Sequence, residues 1–163
     1  MVRIEADDQE NREMSVTLED YVVSTSLDRV DLEFVCAALA GSYWAQNRPR
    51  AVIEASLRGS LCFGIYEKAS RRQVGFARVV TDGATFSWLC DVVVDAGHRK
   101  KGLGKLLVSS ALAHPSVRGT MFLLGTRDAH GLYERFGFAR AEMMRKAPAP
   151  GVPNPAQDPA ATP

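Results

Sequence analysis

Cysteine is scarce in this chain. Cys36, Cys62 and Cys90 are the only three in 163 residues, odd in number and far apart. No Cys-x-x-Cys occurs, and the three histidines, His98, His114 and His130, are not spaced with them as metal ligands are. A disulfide framework and a zinc ribbon are therefore excluded, no metal is expected, and reduced thiols in a cytoplasmic protein are the simple reading. Neither sign of charge dominates: the net charge is +1. No global field would draw the protein onto nucleic acid or an anionic membrane, so neither partner is expected, and any anion binding must be local. No apolar run approaches the roughly 20 residues that cross a bilayer. The N-terminal "MVRIEADDQENREM" is polar and acidic and lacks the apolar stretch of a secretion signal.

What is present is ordinary for a globular protein: 46% hydrophobic and 24% charged residues. This length suits one domain that buries roughly 70% of its unfolded surface. Residues 1–17 read as a flexible arm. The tail "APAPGVPNPAQDPAATP", 147–163, is rich in Pro, Ala and Gly and reads as disordered. A single domain over 18–146 remains.

Within it, "YVVST" reads as a strand. Val30, Phe34, Val35 and Ala38 recur at helical spacing before Gly41, and Pro49 and Gly59 bracket a second, short helix. "LCFGIYEK", "RQVGFARVVT" and "ATFSWLCDVVV" are apolar and β-branched, separated by turn-prone "KASRR" and "TDG". They predict a three-strand antiparallel meander. A helix over 102–113 follows, then a strand in "TMFLLGT", a short helix in "DAHGLYERF" and a last strand in "FARAEMM". The expected order is β-α-α-β-β-β-α-β-α-β, an α+β domain around one mixed sheet.

Between the meander and the long helix stands "HRKKGLGKLL", which reads as a phosphate cradle. A P-loop is excluded because Leu103 occupies the lysine position, and Leu107 replaces the third glycine of a dinucleotide fingerprint. The remaining pattern is Arg99-Lys100-Lys101-Gly102-Leu103-Gly104. It suits a pyrophosphate: glycines admit close backbone approach, and free amides and the dipole at a helix start favour an anion. Lys105 adds charge at the rim. A solvated glycine turn with no ligand uses the same residues.

"CDVVVDAGHRKKGLGKLLV" and the later "TRDAHGLYERFGF", with Ala129, Leu132, Tyr133, Gly137 and Phe138, resemble the two signature segments of the GNAT superfamily of N-acetyltransferases. The resemblance runs from about Tyr21 to Met144. It implies the GNAT-like acyl-CoA N-acyltransferase fold, with the 102–113 helix as the acetyl-CoA-binding helix. It also implies acetyl transfer from acetyl-CoA to a primary amine by direct attack in a ternary complex. The pantetheine arm would pair with the backbone of Val92, Val93 and Val94, and the pyrophosphate would lie on the amides of Arg99 to Lys105. Tyr133 matches the tyrosine that protonates the leaving thiolate. Thr126 stands where the family often has an asparagine that contacts the pantetheine.

The family often takes its base from the strand before the cradle. Asp91 is the acidic residue there, the candidate base or amine-binding group. Its other reading is a partner to a structural cation, Arg78 or Arg127, since an unpaired carboxylate among apolar neighbours is costly. Some members place a glutamate where this chain has Trp88. Strand alternation puts Trp88 and Asp91 on opposite faces. For the acceptor, Tyr43, Trp44 and Arg48 in the loop between the first two helices offer aromatic walls and a guanidinium; Tyr43 and Trp44 also read as plain core. The compact chain favours a small or amino-acid-like amine. A protein or peptide N-acetyltransferase, and an acyl-CoA-binding sensor or scaffold without catalysis, are the alternatives. A monomer or a homodimer is compatible with this reading.

Overall fold

A computed structural model describes residues 3–6, 14–152 and 154–157. The sheet has seven strands in chain order: β1 (Arg3–Ala6), β2 (Met14–Thr17), β3 (Tyr21–Ser24), β4 (Leu61–Glu67), β5 (Gln73–Thr81), β6 (Phe86–Val94) and β7 (Met121–Leu123). Every neighbouring pair is antiparallel except β6 and β7, which run parallel. The meander is β4–β6. The β1 and β2 strands lie in the segment that the sequence reading leaves as an arm. Residues 1–2, 7–13, 153 and 158–163, which share in the arm and tail expectations, lie outside the described residues.

Alternation along the strands builds two cores. Phe63, Ile65, Val79 and Leu89 point to one face and pack against Leu103, Leu107, Val108 and Ala111 of α3 (Leu103–Ala113). Cys62 and Phe76 point to the other face. They pack against Val35 and Leu39 of α1 (Leu32–Ala40) and Ile53 and Leu57 of α2 (Arg50–Arg58). Asp31 caps α1 by accepting from the Phe34 amide at 3.1 Å, and Gly41 and Gly59 end the two helices as the sequence suggests.

The expected last strand over 138–144 does not form. Residues 138–149 have no regular structure, and a short α4 (His130–Tyr133) with one further turn to Phe136 precedes them. The composition gives a cause, and the space beside β7 stays open. "ARAE" is a poor strand former, and a cleft of about 390 Å³, bordered by Phe122, Leu124, Phe138 and Met143, lies where the ladder to β7 would run.

The feature that positions the site is the end of the β6–β7 pairing. Trp88 opposite Leu123 is the last pair in register, yet β6 continues to Val94. β7 ends at Leu123, so beyond Trp88 the ladder opens and one edge of β6 has no strand partner among the described residues.

Candidate active site

A bulge shapes the splayed part of β6. Against β5, Phe76 pairs with Val93 and Arg78 with Cys90, so Asp91 and Val92 together oppose Ala77. Asp91 takes up the extra residue with φ of 53°, a left-handed conformation uncommon for a non-glycine. The expected alternation fails here. Leu89 and Val92 face the α3 core, whereas Asp91 reaches round to the α1 side and borders the same cleft as Trp88.

There Asp91 is fully engaged. Its Oδ2 accepts from Arg78 Nε at 2.6 Å and Arg48 Nη1 at 2.8 Å, and its Oδ1 from Trp44 Nε1 at 3.1 Å. The carboxylate is only 2% exposed. Burial alone would raise its pKa. The two guanidiniums outweigh burial and hold it below the ordinary carboxylate value. Of the two cations expected as its partner, Arg78 fills the role. Arg127 instead lies over the Tyr43 ring, 3.8 Å from its centroid. A carboxylate held ionised in this way is a weak proton acceptor.

The cleft has a volume of about 610 Å³. It brings Val92, Thr126 and Tyr133 together with Tyr43, Trp44, Arg48 and Asp91. Tyr133 comes from α4, across the splay from the bulge. Among the described residues its hydroxyl makes no hydrogen bond, and its ring packs edge-on against Phe138 at 5.9 Å. Burial, then the neighbouring Tyr43 and Asp128, push its pKa up, so it is a phenol at neutral pH. The Thr126 hydroxyl accepts from the Ala129 amide at 3.0 Å and starts α4, which leaves its proton to donate. Tyr43 and Trp44 do not close the core; both are exposed and meet edge-on at 4.9 Å. The Tyr43 hydroxyl accepts from the Arg127 amide at 2.9 Å, tying the α1–α2 loop to the segment before α4.

The cradle adjoins the cleft and encloses about 380 Å³, bordered by Arg99, Lys100, Gly102, Gly104 and Lys105. Asp95 folds its entry by accepting from the Gly97 amide at 3.0 Å and pairing with His98 Nδ1 at 2.9 Å. Gly102 has φ of 82° and caps α3. The first amides of α3 thus have no intrahelical acceptor. A methyl group on Gly104 would meet only Leu132, at 3.9 Å; the protein itself does not demand glycine there. Room left at a helix start, beside cationic side chains, fits a diphosphate-bearing ligand. Two side chains of the expected set make contacts within the protein. Lys101 reaches back to the Tyr21 hydroxyl at 3.2 Å, and Val93 packs against the α1–α2 core. Arg99 Nε donates to the Val94 carbonyl at 3.2 Å.

Sequence reasoning did not place Cys90, Trp88, Asp128 or Arg78 in the site, yet all four border the cleft. Arg78 carried a signal: a cation in an apolar strand, in the meander partner of the strand that holds Asp91. Burial raises the Cys90 pKa, so that side chain is a thiol and no ready nucleophile.

A mixed sheet that splays beside a glycine-led helix, with a tyrosine across the gap, defines a GNAT-type acyltransferase. The chain belongs to the GNAT acetyltransferase family, whose domain model matches residues 58–140. A Gibberella zeae protein named as a candidate acetyltransferase is 32% identical over 126 residues, 64% of this chain and 71% of that protein. A Glycine max histone acetyltransferase is 27% identical over 143 residues, 79% of this chain and 60% of that protein. Among solved structures, a candidate GNAT acetyltransferase from Xanthomonas campestris pv. campestris gives a TM-score of 0.75 at 38% identity. The match covers 81% of this chain and 96% of that one. No helix among the described residues is long and apolar enough to cross a membrane.

Proposed function

We propose that this enzyme transfers the acetyl group of acetyl-CoA to the primary amine of a small, amino-acid-like acceptor, by direct attack in a ternary complex. One observation carries the reading: the bulge at Asp91 and Val92 lines one cleft with Tyr133, whose hydroxyl makes no hydrogen bond among the described residues. When bound, acetyl-CoA supplies the activated thioester. The α3 amides from Leu103 onward and the basic residues Arg99, Lys100 and Lys105 hold its diphosphate. The free edge of β6 at Val92 and Val94 receives its arm, with the Thr126 hydroxyl as a further donor.

The remaining work falls to the cleft. A main-chain N–H near Val92 polarises the thioester carbonyl as charge develops on its oxygen. Tyr133 delivers its proton to the departing sulfur. Asp91, tied to two arginines, positions Arg48 and Trp44 and does not take the proton of the amine. That proton leaves to water through the open cleft.

The similarity to a histone acetyltransferase makes a lysine side chain in a protein the second reading. CoA release from acetyl-CoA, measured with small amino acids, simple amines and lysine peptides, separates the two. Turnover confined to peptides would replace the first with the second.

A further inference from the structure

The ion-pair cluster in the cleft is unbalanced. Two guanidiniums, Arg48 and Arg78, share one carboxylate, Asp91. Arg99 and Asp128, which also border the cleft, add one charge of each sign to its lining. One positive charge is therefore left over in a place where water is limited: the Arg48 side chain is 23% exposed and that of Arg78 only 12%. An unmatched charge held there is costly.

Donors are left over as well. Arg48 uses one Nη1 hydrogen, on Asp91. Arg78 uses Nε on Asp91 and Nη1 on Ser60 Oγ, at 3.1 Å. Among the described residues the Nη2 groups of both have no acceptor. Asp91 fixes both planes in advance, and the Trp44 indole is held by the same carboxylate. A pre-positioned guanidinium with N–H groups left over is a receptor for a planar anion.

We infer that the acceptor carries a carboxylate, which binds Arg48 and Arg78 in this cleft while its amine lies toward Tyr133. This rests on the acetyl-transfer reading above and names its substrate class: a primary amine bearing a carboxylate, with an apolar part against Trp44 and Trp88. A monoanion restores neutrality in the cluster. A phosphate dianion would overshoot it.

Both tryptophans of the chain, Trp44 and Trp88, border the cleft. Intrinsic fluorescence therefore reports occupancy without catalysis. The probe is N-acetylleucine against N-acetylleucinamide, product-shaped molecules that differ in the carboxylate. The expected result is tighter binding of the acid by roughly 10- to 100-fold, the scale of one or two charge-assisted hydrogen bonds. Arg48→Met abolishes the preference, and Arg48→Lys keeps part of it. Phosphoethanolamine binds more weakly than leucine. Equal binding of acid and amide by the unaltered enzyme would overturn the inference, as would a preference that survives in a folded Arg48→Met. Tighter binding of phosphoethanolamine would overturn it in favour of a phosphate. CoA release with leucine and with its decarboxylated amine keeps the two proposals apart. Equal turnover of both leaves acetyl transfer to a primary amine standing and removes the carboxylate, and with it the amino-acid-like acceptor. An acid preference in binding, with no turnover of any amine, does the reverse.

Discussion

Arg78 Nε lies 2.6 Å from Asp91 Oδ2, although strict strand geometry would separate them. Arg78 is in register with Cys90, and the next residue of a regular strand would point through the sheet. The bulge returns Asp91 to the same side. The strained residue and the ion pair sustain one another, and both sit where the proposed acyl acceptor enters.

The first prediction concerns stability. Asp91→Ala leaves two partly buried guanidiniums without their carboxylate and costs up to about 3–5 kcal/mol. The double substitution Asp91→Ala with Arg78→Met recovers part of that loss, because it removes one of the two guanidiniums along with the carboxylate and leaves Arg48 alone unpaired. Urea unfolding of the four corners of the cycle checks this. Additive losses would show that the two residues act independently.

The same pair sets a pH dependence. The folded pKa of Asp91 is depressed, so its contribution is full above the ordinary carboxylate value. It is lost as pH falls from that value through the lower folded one. Stability of the unaltered protein should fall across that acid window more steeply than that of Asp91→Asn. Parallel stability curves below pH 4 would count against the pairing.

Tyr133→Phe removes the proposed acid without disturbing the diphosphate site. A loss of roughly 10²- to 10⁴-fold in kcat is expected, with little change in the affinity for CoA. Burial raises the tyrosine pKa. In the unaltered enzyme kcat should therefore not decline through tyrosine ionisation until pH exceeds the usual value of about 10. Unchanged kcat in a step limited by chemistry would remove Tyr133 from the mechanism.

Gly102 and Gly104 should respond oppositely to alanine. At Gly102 the positive φ makes a side chain strained by roughly 1–2 kcal/mol whatever the space. At Gly104 the added methyl meets nothing closer than 3.9 Å and improves helix propensity, so stability holds or rises. The same methyl intrudes on the cradle, and CoA affinity should drop at least roughly tenfold, on the scale of a lost charge-assisted contact. Unchanged CoA binding by Gly104→Ala would move the diphosphate elsewhere.

How far the sequence discloses all this depends on where the information is stored. The meander, the helices α1 to α3 and the glycines that end α1 and α2 are local patterns of apolar spacing and caps, and they were legible. The cradle and Tyr133 were legible through motif resemblance. The last strand was expected from the 138–144 pattern, but strand pairing depends on a partner edge, and β7 has only three residues. The β1 and β2 strands were hidden by an acidic, polar context. The bulge at Asp91 was invisible because one inserted residue leaves no mark in a run of valines. Without it, alternation places Asp91 on the wrong face and conceals the cluster with Arg48 and Trp44. Arg78 stood out as a buried cation, but only the fold turned it toward the cleft.

The most direct test is acetyl-CoA-dependent release of CoA, with the acetylated product identified by mass, across small amino acids, matched amines and lysine peptides. The account predicts stoichiometric CoA and N-acetyl product with carboxylate-bearing small amines, and their loss in Tyr133→Phe while CoA still binds. Tight CoA binding without turnover of any amine in the set would contradict it, and would leave a domain that senses acyl-CoA without transferring its acyl group.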